Sequence, residues 1–333
     1  MVVGKRKIGN KNLGKQEMTY FRAKNRKVYA LGETVLDLVS DDGLMFRAVP
    51  GGSMLNASVS LGRMGIDVEL ISEFGTDIAG DQIANFLSSN SVQSTYSFRH
   101  LNHCTSLSLA FLDKDRNASY SFYHDVPEEM PNSETPEFQN DDILLFGSFY
   151  AVKPNRRNYV LKLLQKAIKA SAIIYYDLNI RKAHASKLDI LMPSFLNNIA
   201  ASTIVKGSDE DFFHLFGLSD AEAIYKKVSP YCKLLIITYG EKPMYIFTPK
   251  YNKIYNINEI KPVSTIGAGD NFNAGFIFGI STLDSATKNI DDFQPDEIDR
   301  IVGCGLAFAT ETCLSAENYI SGNLEMDFWK KFI

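Results

Sequence analysis

Cysteine is scarce in this sequence of 333 residues, and the four cysteines present stand far apart. Cys104, Cys232, Cys304 and Cys313 include no CxxC pair. Zinc clusters and dense disulfide frameworks both need closely spaced cysteines, so neither is indicated. We therefore expect free, reduced thiols and a cytoplasmic protein.

Long apolar runs and a strong net charge are missing as well. No run reaches the roughly 18 apolar residues that a membrane helix needs, and no apolar signal-peptide core stands near the first residue, so neither membrane insertion nor secretion is expected. The formal net charge is only −4, which provides no general basic field to attract nucleic acid. Small molecules are the partners that this composition favours.

Three familiar catalytic arrangements find no support in the motifs. The histidines form no metal-spaced cluster and no GxSxG elbow is present, so zinc hydrolases and Ser/His/Asp hydrolases have no sequence basis. The first expected strand runs into Gly32-Glu33-Thr34 rather than a GxGxxG turn. A Rossmann dehydrogenase is therefore disfavoured.

Short apolar segments alternate with amphipathic ones from Val28 onward, and 45% of all residues are hydrophobic. This alternation predicts an α/β fold with a mostly parallel sheet covered by helices on both faces. The predicted core strands are 28–31 continuing into 35–39, then 68–72, 143–146, 172–177, 203–205 and 234–238. The predicted helices are 54–64, 78–88, 156–170, 188–200, 221–228, 272–280 and 296–313.

Two regions depart from that rhythm. Residues 1–26 carry eight Lys or Arg residues against one acid and little apolar periodicity, which predicts a basic extension before a single domain at 27–333. Segments 106–112 and 118–123 alternate like half-exposed strands and predict an antiparallel flap, to which 41–49 adds an edge. His100 and His103 are expected near the surface of this flap.

Polar residues follow several predicted strands. Because ligands gather at the carboxyl ends of parallel strands, these positions define a candidate rim for a site, although polar residues also end strands for purely structural reasons. The rim residues are Asp37, Asp177, Asn179, Ser208, Thr238 and Gly240.

A glycine pair precedes the first predicted helix, in Gly51-Gly52-Ser53-Met54-Leu55-Asn56. The glycines would let the backbone approach a ligand closely, and the Asn56 amide can both donate to and accept from hydroxyl groups. The same pattern is also compatible with an ordinary loop and helix start.

The segment Ser264-Thr265-Ile266-Gly267-Ala268-Gly269-Asp270-Asn271-Phe272 stands where another helix begins. Glycine in a turn and aspartate as a helix cap are one interpretation. The alternative is an anion site, because the small residues Gly267, Ala268 and Gly269 leave amide N–H groups open at a helix N-terminus. Asp270 would then lie beside the anion and could accept a proton from an attacking hydroxyl, an arrangement suited to phosphoryl transfer.

Taken in order, these motifs resemble the ribokinase/PfkB carbohydrate kinase family, and its fructokinase-like branch in particular, from 28 to about 315. The segment at 264–270 is similar to the family's DTxGAGD signature, and 75–80 is similar to its G-x-D-x-x-G. The glycine pair with Asn56 matches the family's early motif. Segment 177–181, Asp-Leu-Asn-Ile-Arg, resembles D-P-N-x-R, and 238–242 resembles T-x-G-E-K.

The resemblance implies a ribokinase-like fold, a sugar kinase activity and a role for each matching residue. Asp270 would be the general base, and Gly267, Ala268 and Gly269 would form the anion hole. Sugar contacts would come from Asp37, the Gly52 backbone, Asn56 and Arg181, the last of which could instead meet the transferred phosphate. ATP would contact Ser208, Thr238 and Gly240, and Asp211 would hold Mg²⁺ through water. The flap, at about 41–50 and 98–125, would be a β lid that closes over the sugar and could form a homodimer interface.

Three positions depart from the family pattern. Ser264 replaces an Asp that helps bind an activating monovalent cation in relatives, which puts K⁺ activation in doubt. Asp211 stands where Glu is usual, and Pro243 replaces a glycine. A hexose such as fructose is the expected substrate. Ribose, ketodeoxygluconate, a nucleoside or a sugar phosphate, with Arg47, Arg99 or Arg181 as extra cations, remain alternatives, as does a non-catalytic sugar- or nucleotide-binding protein.

Overall fold

The computed structural model describes residues 26–40, 43–112, 118–125, 127, 134–180, 187–283 and 290–322. The predicted basic extension, except Arg26, and the predicted sugar-contacting residue Arg181 lie outside these residues. In the described part of the chain, no helix is both long and apolar enough to span a bilayer.

Strands and helices alternate along the chain as the apolar pattern predicts. The strands are β1 Val28–Leu31, β2 Val35–Ser40, β3 Arg47–Gly51, β4 Val68–Ile71, β5 Glu73–Gly75, β6 Val92–Gln93, β7 Phe98–His100, β8 Leu107–Leu112, β9 Ala118–Tyr123, β10 Ile143–Gly147, β11 Ile173–Asp177, β12 Ile204–Ser208, β13 Leu234–Tyr239, β14 Lys242–Phe247 and β15 Asn252–Tyr255. The α-helices are α1 Ser53–Arg63, α2 Ile78–Ser89, α3 Arg157–Lys169, α4 Leu188–Ala201, α5 Asp209–Phe216, α6 Ala221–Val228, α7 Ala268–Ser281 and α8 Pro295–Cys313.

A large sheet forms the centre of the molecule, with nine strands among the described residues in the order β15-β14-β13-β12-β11-β10-β1-β4-β6. The strands β13, β12, β11, β10, β1, β4 and β6 run parallel to one another, whereas β14 and β15 pair antiparallel with their neighbours. The α/β fold with a mostly parallel sheet is therefore confirmed. The carboxyl ends of the central strands all meet at one edge, where a ligand site is expected.

Helices cover both faces of this sheet because consecutive strand residues point to opposite sides. Val28 and Ala30 of β1 belong to one core, and Tyr29 and Leu31 belong to the other. The first core is closed by α1, α2, α7 and α8, and the second by α3, α4, α5 and α6. Burial on both faces explains why these strands read as continuous apolar runs.

A small sheet stands apart from the large one, in the order β3-β2-β8-β9. Its two antiparallel hairpins, β2–β3 and β8–β9, are joined by parallel pairing of β2 with β8. The prediction that β2 continues the first core strand is wrong. Gly32 separates β1 from β2, and a Cβ at Gly32 would collide with Met54 of α1. The chain leaves the large sheet at that point, so Asp37 lies within a small-sheet strand rather than at the end of a core strand.

The helix α5, the hairpin β14–β15 and the short strands β5, β6 and β7 were not predicted. Helix α5 begins with a capping box in which the Ser208 hydroxyl accepts from the Asp211 amide and the Asp211 carboxylate accepts from the Ser208 amide. In the hairpin β14–β15, Met244, Ile246 and Phe247 are buried, whereas the start of β14 and most of β15 are exposed. Pro243 lies where the pairing of β13 with β14 shifts register, a position that tolerates proline. The proline and the exposed residues conceal this hairpin in the sequence.

Candidate active site

Helix α7 begins at an unusual turn. Its N-cap, Gly267, has a φ of +80°, a left-handed conformation that favours glycine, and a Cβ there would lie 2.6 Å from the Asn318 carbonyl oxygen. Asn271 holds this turn in place, because its side-chain amide donates 2.8 Å hydrogen bonds to the Gly267 and Asn318 carbonyls. These contacts fix the position of the first backbone amides of α7.

Asp270, in the first turn of α7, accepts hydrogen bonds on both carboxylate oxygens. Ser53 Oγ donates to Oδ1 at 2.5 Å, and Asn56 Nδ2 donates to Oδ2 at 2.9 Å. Both donors belong to α1, directly after the Gly51-Gly52 pair. The two glycine-containing segments predicted to carry chemistry therefore meet at one carboxylate.

The side-chain oxygen of Asn56, Oδ1, indicates that a ligand binds beside Asp270. Asn56 is buried, and its Oδ1 has no hydrogen-bond partner among the described residues. A buried acceptor without a partner is costly, at about 1–3 kcal/mol. A hydroxyl group bound in the adjacent cleft would satisfy it.

Asp37 completes the polar wall of this cleft from the small sheet. Ser108 Oγ on β8 donates to Asp37 Oδ1. Gly51 lies directly against the carboxylate, and a Cβ at that position would collide with Asp37 Oδ2. The absence of a side chain at Gly51 is therefore what lets Asp37 reach the cleft.

The cleft formed by these residues encloses about 590 Å³, including space open to solvent. Its lining includes Glu33, Asp37, Gly52, Asn56, Phe122, Gly267 and Asp270. Asp37, Gly52, Asn56, Gly267 and Asp270, predicted separately, are thus brought together.

A second, larger cleft of about 1450 Å³, also including open space, lies on the other side of the Gly267 turn. Its lining includes Gly240, Lys242, Ile257, Ile260, Thr265 and Ala268. Residues 265–270 therefore separate two clefts, with Ala268 facing the larger and Asp270 the smaller. A group passing from one cleft to the other would meet the N-terminus of α7.

Of the three residues predicted to contact a nucleotide, Gly240 lines this larger cleft, whereas Thr238 and Ser208 are not among its lining residues in the described structure. Thr238 of β13 pairs with Ser208 of β12 at the carboxyl edge of the large sheet. The Ser208 hydroxyl donates to Asp211 Oδ2 at 2.8 Å as part of the α5 cap. Gly240 forms the tight turn before β14 with a φ of +64°.

The Asp211 carboxylate is already used to cap the start of helix α5. Its Oδ2 also accepts from the Ser208 amide at 2.7 Å, and its Oδ1 accepts from the Ile180 amide at 2.6 Å. Burial raises the pKa of Asp211, although these hydrogen bonds oppose the shift. Its contact with a metal-bound water stays a prediction, and such a water would have to use the lone pairs that remain.

A buried charged network lies beneath the N-terminus of α7, and sequence reasoning missed its cation. Lys206 Nζ on β12 lies 3.1 Å from Asp177 Oδ1 on β11, and Asn273 Nδ2 donates to Asp177 Oδ2 at 2.6 Å. Tyr175 donates its hydroxyl to Asn273 Oδ1 at 3.0 Å. Burial raises the pKa of Asp177, and the Lys206 charge opposes this. A lysine inside an otherwise apolar strand was the available signal.

Two of the three arginines considered as extra cations can be placed. Arg99 is engaged by Asp81 at 2.8 Å and by the Gly75 carbonyl at 2.8 Å, away from the smaller cleft. Arg47 is an exposed residue at the start of β3. Neither is among the residues that line the cleft.

Comparisons with known proteins agree with this geometry. Residues 25–317 match the model of the pfkB family of carbohydrate kinases. A fructokinase of Solanum tuberosum is 26% identical over 280 residues, which span 80% of this chain and 81% of the relative.

Two solved structures share the fold. A double-mutant fructokinase of Vibrio cholerae O395, solved with fructose, ADP and potassium, superposes with a TM-score of 0.81 at 20% identity, over 92% of this chain and 98% of that one. The aminoimidazole riboside kinase of Salmonella enterica, solved with aminoimidazole riboside and an ATP analogue, gives 0.78 at 19% identity, over 92% and 99%. The match across most of the sequence shows that the chain belongs to the pfkB family of carbohydrate kinases, as a sugar kinase whose relatives include fructokinases.

Proposed function

We propose that this sugar kinase transfers the γ-phosphoryl group of ATP to a primary hydroxyl of fructose or a related hexose, with Asp270 as the general base. The observation that carries the proposal is the position of Asp270. It faces a cleft lined by polar groups, directly beside the helix N-terminus that separates this cleft from the larger one.

In the proposed step, the sugar hydroxyl oxygen forms a bond to the γ-phosphorus while the bond from that phosphorus to the β,γ-bridging oxygen breaks. The hydroxyl proton goes to Asp270, and ADP leaves with the electron pair of the broken bond. The amides of Gly267, Ala268 and Gly269 would receive the phosphoryl oxygens as charge moves between the two clefts. Positioning of both reactants on one turn supplies much of the rate enhancement.

Sugar recognition is proposed for three groups around Asp270. Asn56 Oδ1, buried without a partner in the described structure, would accept from one sugar hydroxyl. Asp37 would accept from others, and the Gly52 backbone, with a φ of +125°, would approach the ring closely. Arg181 stays a prediction as a further sugar or phosphate contact.

Magnesium is proposed to arrive with the nucleotide. The described residues contain no group of three or more His, Cys, Asp or Glu side chains that could hold a metal ion. Mg²⁺ does not require such a group, because it commonly keeps several waters and is held by one or two carboxylates plus substrate phosphates. Asp211 would contact it only through water, and the bound ion would balance phosphate charge.

A role for the lid in assembly is also proposed. The loop before β3 and the outer face of the small sheet expose large apolar side chains. They are Leu44, Met45, Phe46, Phe111 and Tyr123. A homodimer formed through this face would cover them. Analytical ultracentrifugation of the wild type and of Leu44→Glu/Met45→Glu tests this, since a dimer that survives the two added charges would place the interface elsewhere.

The acceptor has a specific alternative. The structure of a kinase that binds aminoimidazole riboside is nearly as similar as that of the fructokinase, so a nucleoside acceptor is the second candidate. Ribose, ketodeoxygluconate and sugar phosphates follow it. The departures at Ser264, Asp211 and Pro243 would instead favour a non-catalytic sugar- or nucleotide-binding protein.

One panel of assays separates these possibilities. ADP formation is measured with fructose, ribose, ketodeoxygluconate, fructose phosphates and adenosine, each with Mg²⁺ and with and without K⁺. We expect the highest kcat/KM with fructose or a close hexose. A preference for adenosine would replace the hexose assignment, whereas sugar binding by calorimetry without any phosphorylated product would overturn the catalytic proposal.

A further inference from the structure

Lys206 is a buried cation aimed at the N-terminus of α7. Only 5% of its surface is exposed. A Cβ built on Gly269 would lie 3.6 Å from Lys206 Nζ, the one atom within 4 Å of that position in the described structure. Gly269 itself is exposed at the turn between the two clefts. The ammonium group therefore lies behind the amides of the predicted anion hole.

A buried cation is uncommon at a helix N-terminus. A helix N-terminus carries about half a positive charge, so acidic side chains stabilise it and cations destabilise it. Asp177, at 3.1 Å, is the counter-charge of Lys206, but the pair places two buried charges beside the positive end of the helix. A protein that needed only a stable fold would lose little by replacing both residues of the pair with well-packed apolar side chains.

Asp177 fixes the direction of the ammonium group. One carboxylate oxygen contacts Lys206 Nζ at 3.1 Å, and the other accepts from Asn273 at 2.6 Å. Asn273 belongs to α7 itself and is held in turn by Tyr175 at 3.0 Å. The network ties strands β11 and β12 to the helix whose N-terminus forms the turn and holds the ammonium group near it.

We propose that Lys206, held by Asp177, supplies a fixed positive charge behind the Gly267–Gly269 turn that stabilises the phosphoryl group during its transfer. The inference rests on the proposed function, and it adds a residue that acts through the anion hole without touching the substrate. Lys206 is thus a positioning residue. Its charge acts in a buried, low-dielectric region, where electrostatic effects are stronger than in water.

The test uses three variants of the full chain. Lys206→Met removes the charge and keeps the length of the side chain. Lys206→Met/Asp177→Asn also removes the carboxylate that would otherwise be left unpaired, and it therefore separates the catalytic charge from the stability of the pair. Lys206→Arg keeps the charge. For each variant, kcat, the KM values for sugar and ATP, and the thermal unfolding midpoint are measured.

A transition-state mimic supplies the readout that a purely structural role would not move. Affinity for ADP with aluminium fluoride and sugar is compared with affinity for ADP alone. We expect both Met variants to lose about 10²–10³-fold in kcat and a similar factor in mimic affinity, with ADP affinity and sugar KM nearly unchanged. Lys206→Arg should retain most of the turnover.

Recovery of turnover in the double variant would overturn the inference, because it would reduce Lys206 to a partner for Asp177. Unchanged kcat in the single variant would overturn it as well. Either result in an active wild type leaves the proposed kinase activity intact. Failure of the wild type to phosphorylate any acceptor would instead contradict the proposed function.

Discussion

Ser53 Oγ donates a 2.5 Å hydrogen bond to Asp270 Oδ1, from the first residue of α1 to the first turn of α7. The bond links the loop with the glycine pair to the turn that separates the two clefts. With Asn56 on the other oxygen, it fixes the plane of the carboxylate. A base held in this way does not need to reorganise when a hydroxyl group arrives.

Removal of this hydrogen bond should affect kcat more strongly than the free energy of unfolding. We expect Ser53→Ala to reduce kcat by on the order of tenfold or more, because small misplacements of a reacting group are costly. The matched control is Ser58→Ala on the same helix, whose hydroxyl donates to the Met54 carbonyl at 2.7 Å, away from Asp270. Steady-state kinetics of both variants provide the check. Equal kcat in the two variants would remove Ser53 from the positioning of the base.

The Gly267 turn should tolerate no side chain. Gly267→Ala places a Cβ 2.6 Å from the Asn318 carbonyl oxygen and forces alanine to a φ of +80°. We expect kcat to fall by about 10²-fold or more. Gly217→Ala is the control, since it has a similar φ of +67° at the end of α5 but meets no atom within 4 Å in the described structure. Its strain should cost about 1–2 kcal/mol of stability and leave kcat near the wild type. A Gly267→Ala enzyme with normal turnover would show that the turn does not form the anion hole.

Ser264 should limit stimulation by potassium. Its hydroxyl accepts from the Ile266 amide at 3.2 Å and carries no formal charge, unlike the Asp that the family resemblance predicts at this position. We expect little change in wild-type turnover when K⁺ replaces a bulky organic cation. Ser264→Asp should create K⁺ stimulation, whereas Ser219→Asp, at an exposed loop position, should not. Strong K⁺ stimulation of the wild type would refute the idea that this position controls cation dependence.

A buried ion cluster should make stability depend on pH. Arg156 contacts both Glu73 oxygens at 2.6 and 2.8 Å, and His100 approaches one of them at 2.7 Å. Burial alone would raise the pKa of Glu73, but Arg156 and His100 outweigh it and hold the pKa below its ordinary value of 4.5. Glu73→Gln leaves Arg156 without its charge partner and should cost about 3–5 kcal/mol near neutral pH.

The sign of the pH effect follows from the lowered pKa. Stability from ionised Glu73 is fully present above pH 4.5 and is lost as pH falls through the lower folded pKa. The gap between wild type and Glu73→Gln in urea unfolding should therefore narrow as the pH falls below that value. Glu137→Gln, at an exposed pair with Lys166, is the control and should change stability little. A gap that widens in acid would contradict the assignment.

Most of the fold, and the residues proposed to form the centre of the site, could be predicted from local sequence patterns. Helices such as α6 were predicted at their observed bounds because apolar periodicity and capping residues agree there. Gly267, Asp270 and Asn56 were identified from short motifs, since chemistry at a helix start leaves a local signature.

Long-range relationships were not accessible in the same way. The contact of Ser53 with Asp270 and that of Lys206 with Asp177 depend on how strands and helices are arranged. His100 was expected near the surface, but it is buried against Glu73 because β7 pairs with β5. Apolar periodicity does not show which polar residue on a short strand finds a buried charge partner.

Turnover of Asp270→Asn with the best acceptor of the panel is the most direct test of the central proposal. Asparagine keeps the shape of the side chain but cannot take the proton from the sugar hydroxyl. If Asp270 is the base, kcat should fall by about 10²–10⁴-fold, with sugar and ATP affinity and the unfolding midpoint close to those of the wild type. Near-normal turnover in a folded, ligand-binding variant would show that another group removes the proton.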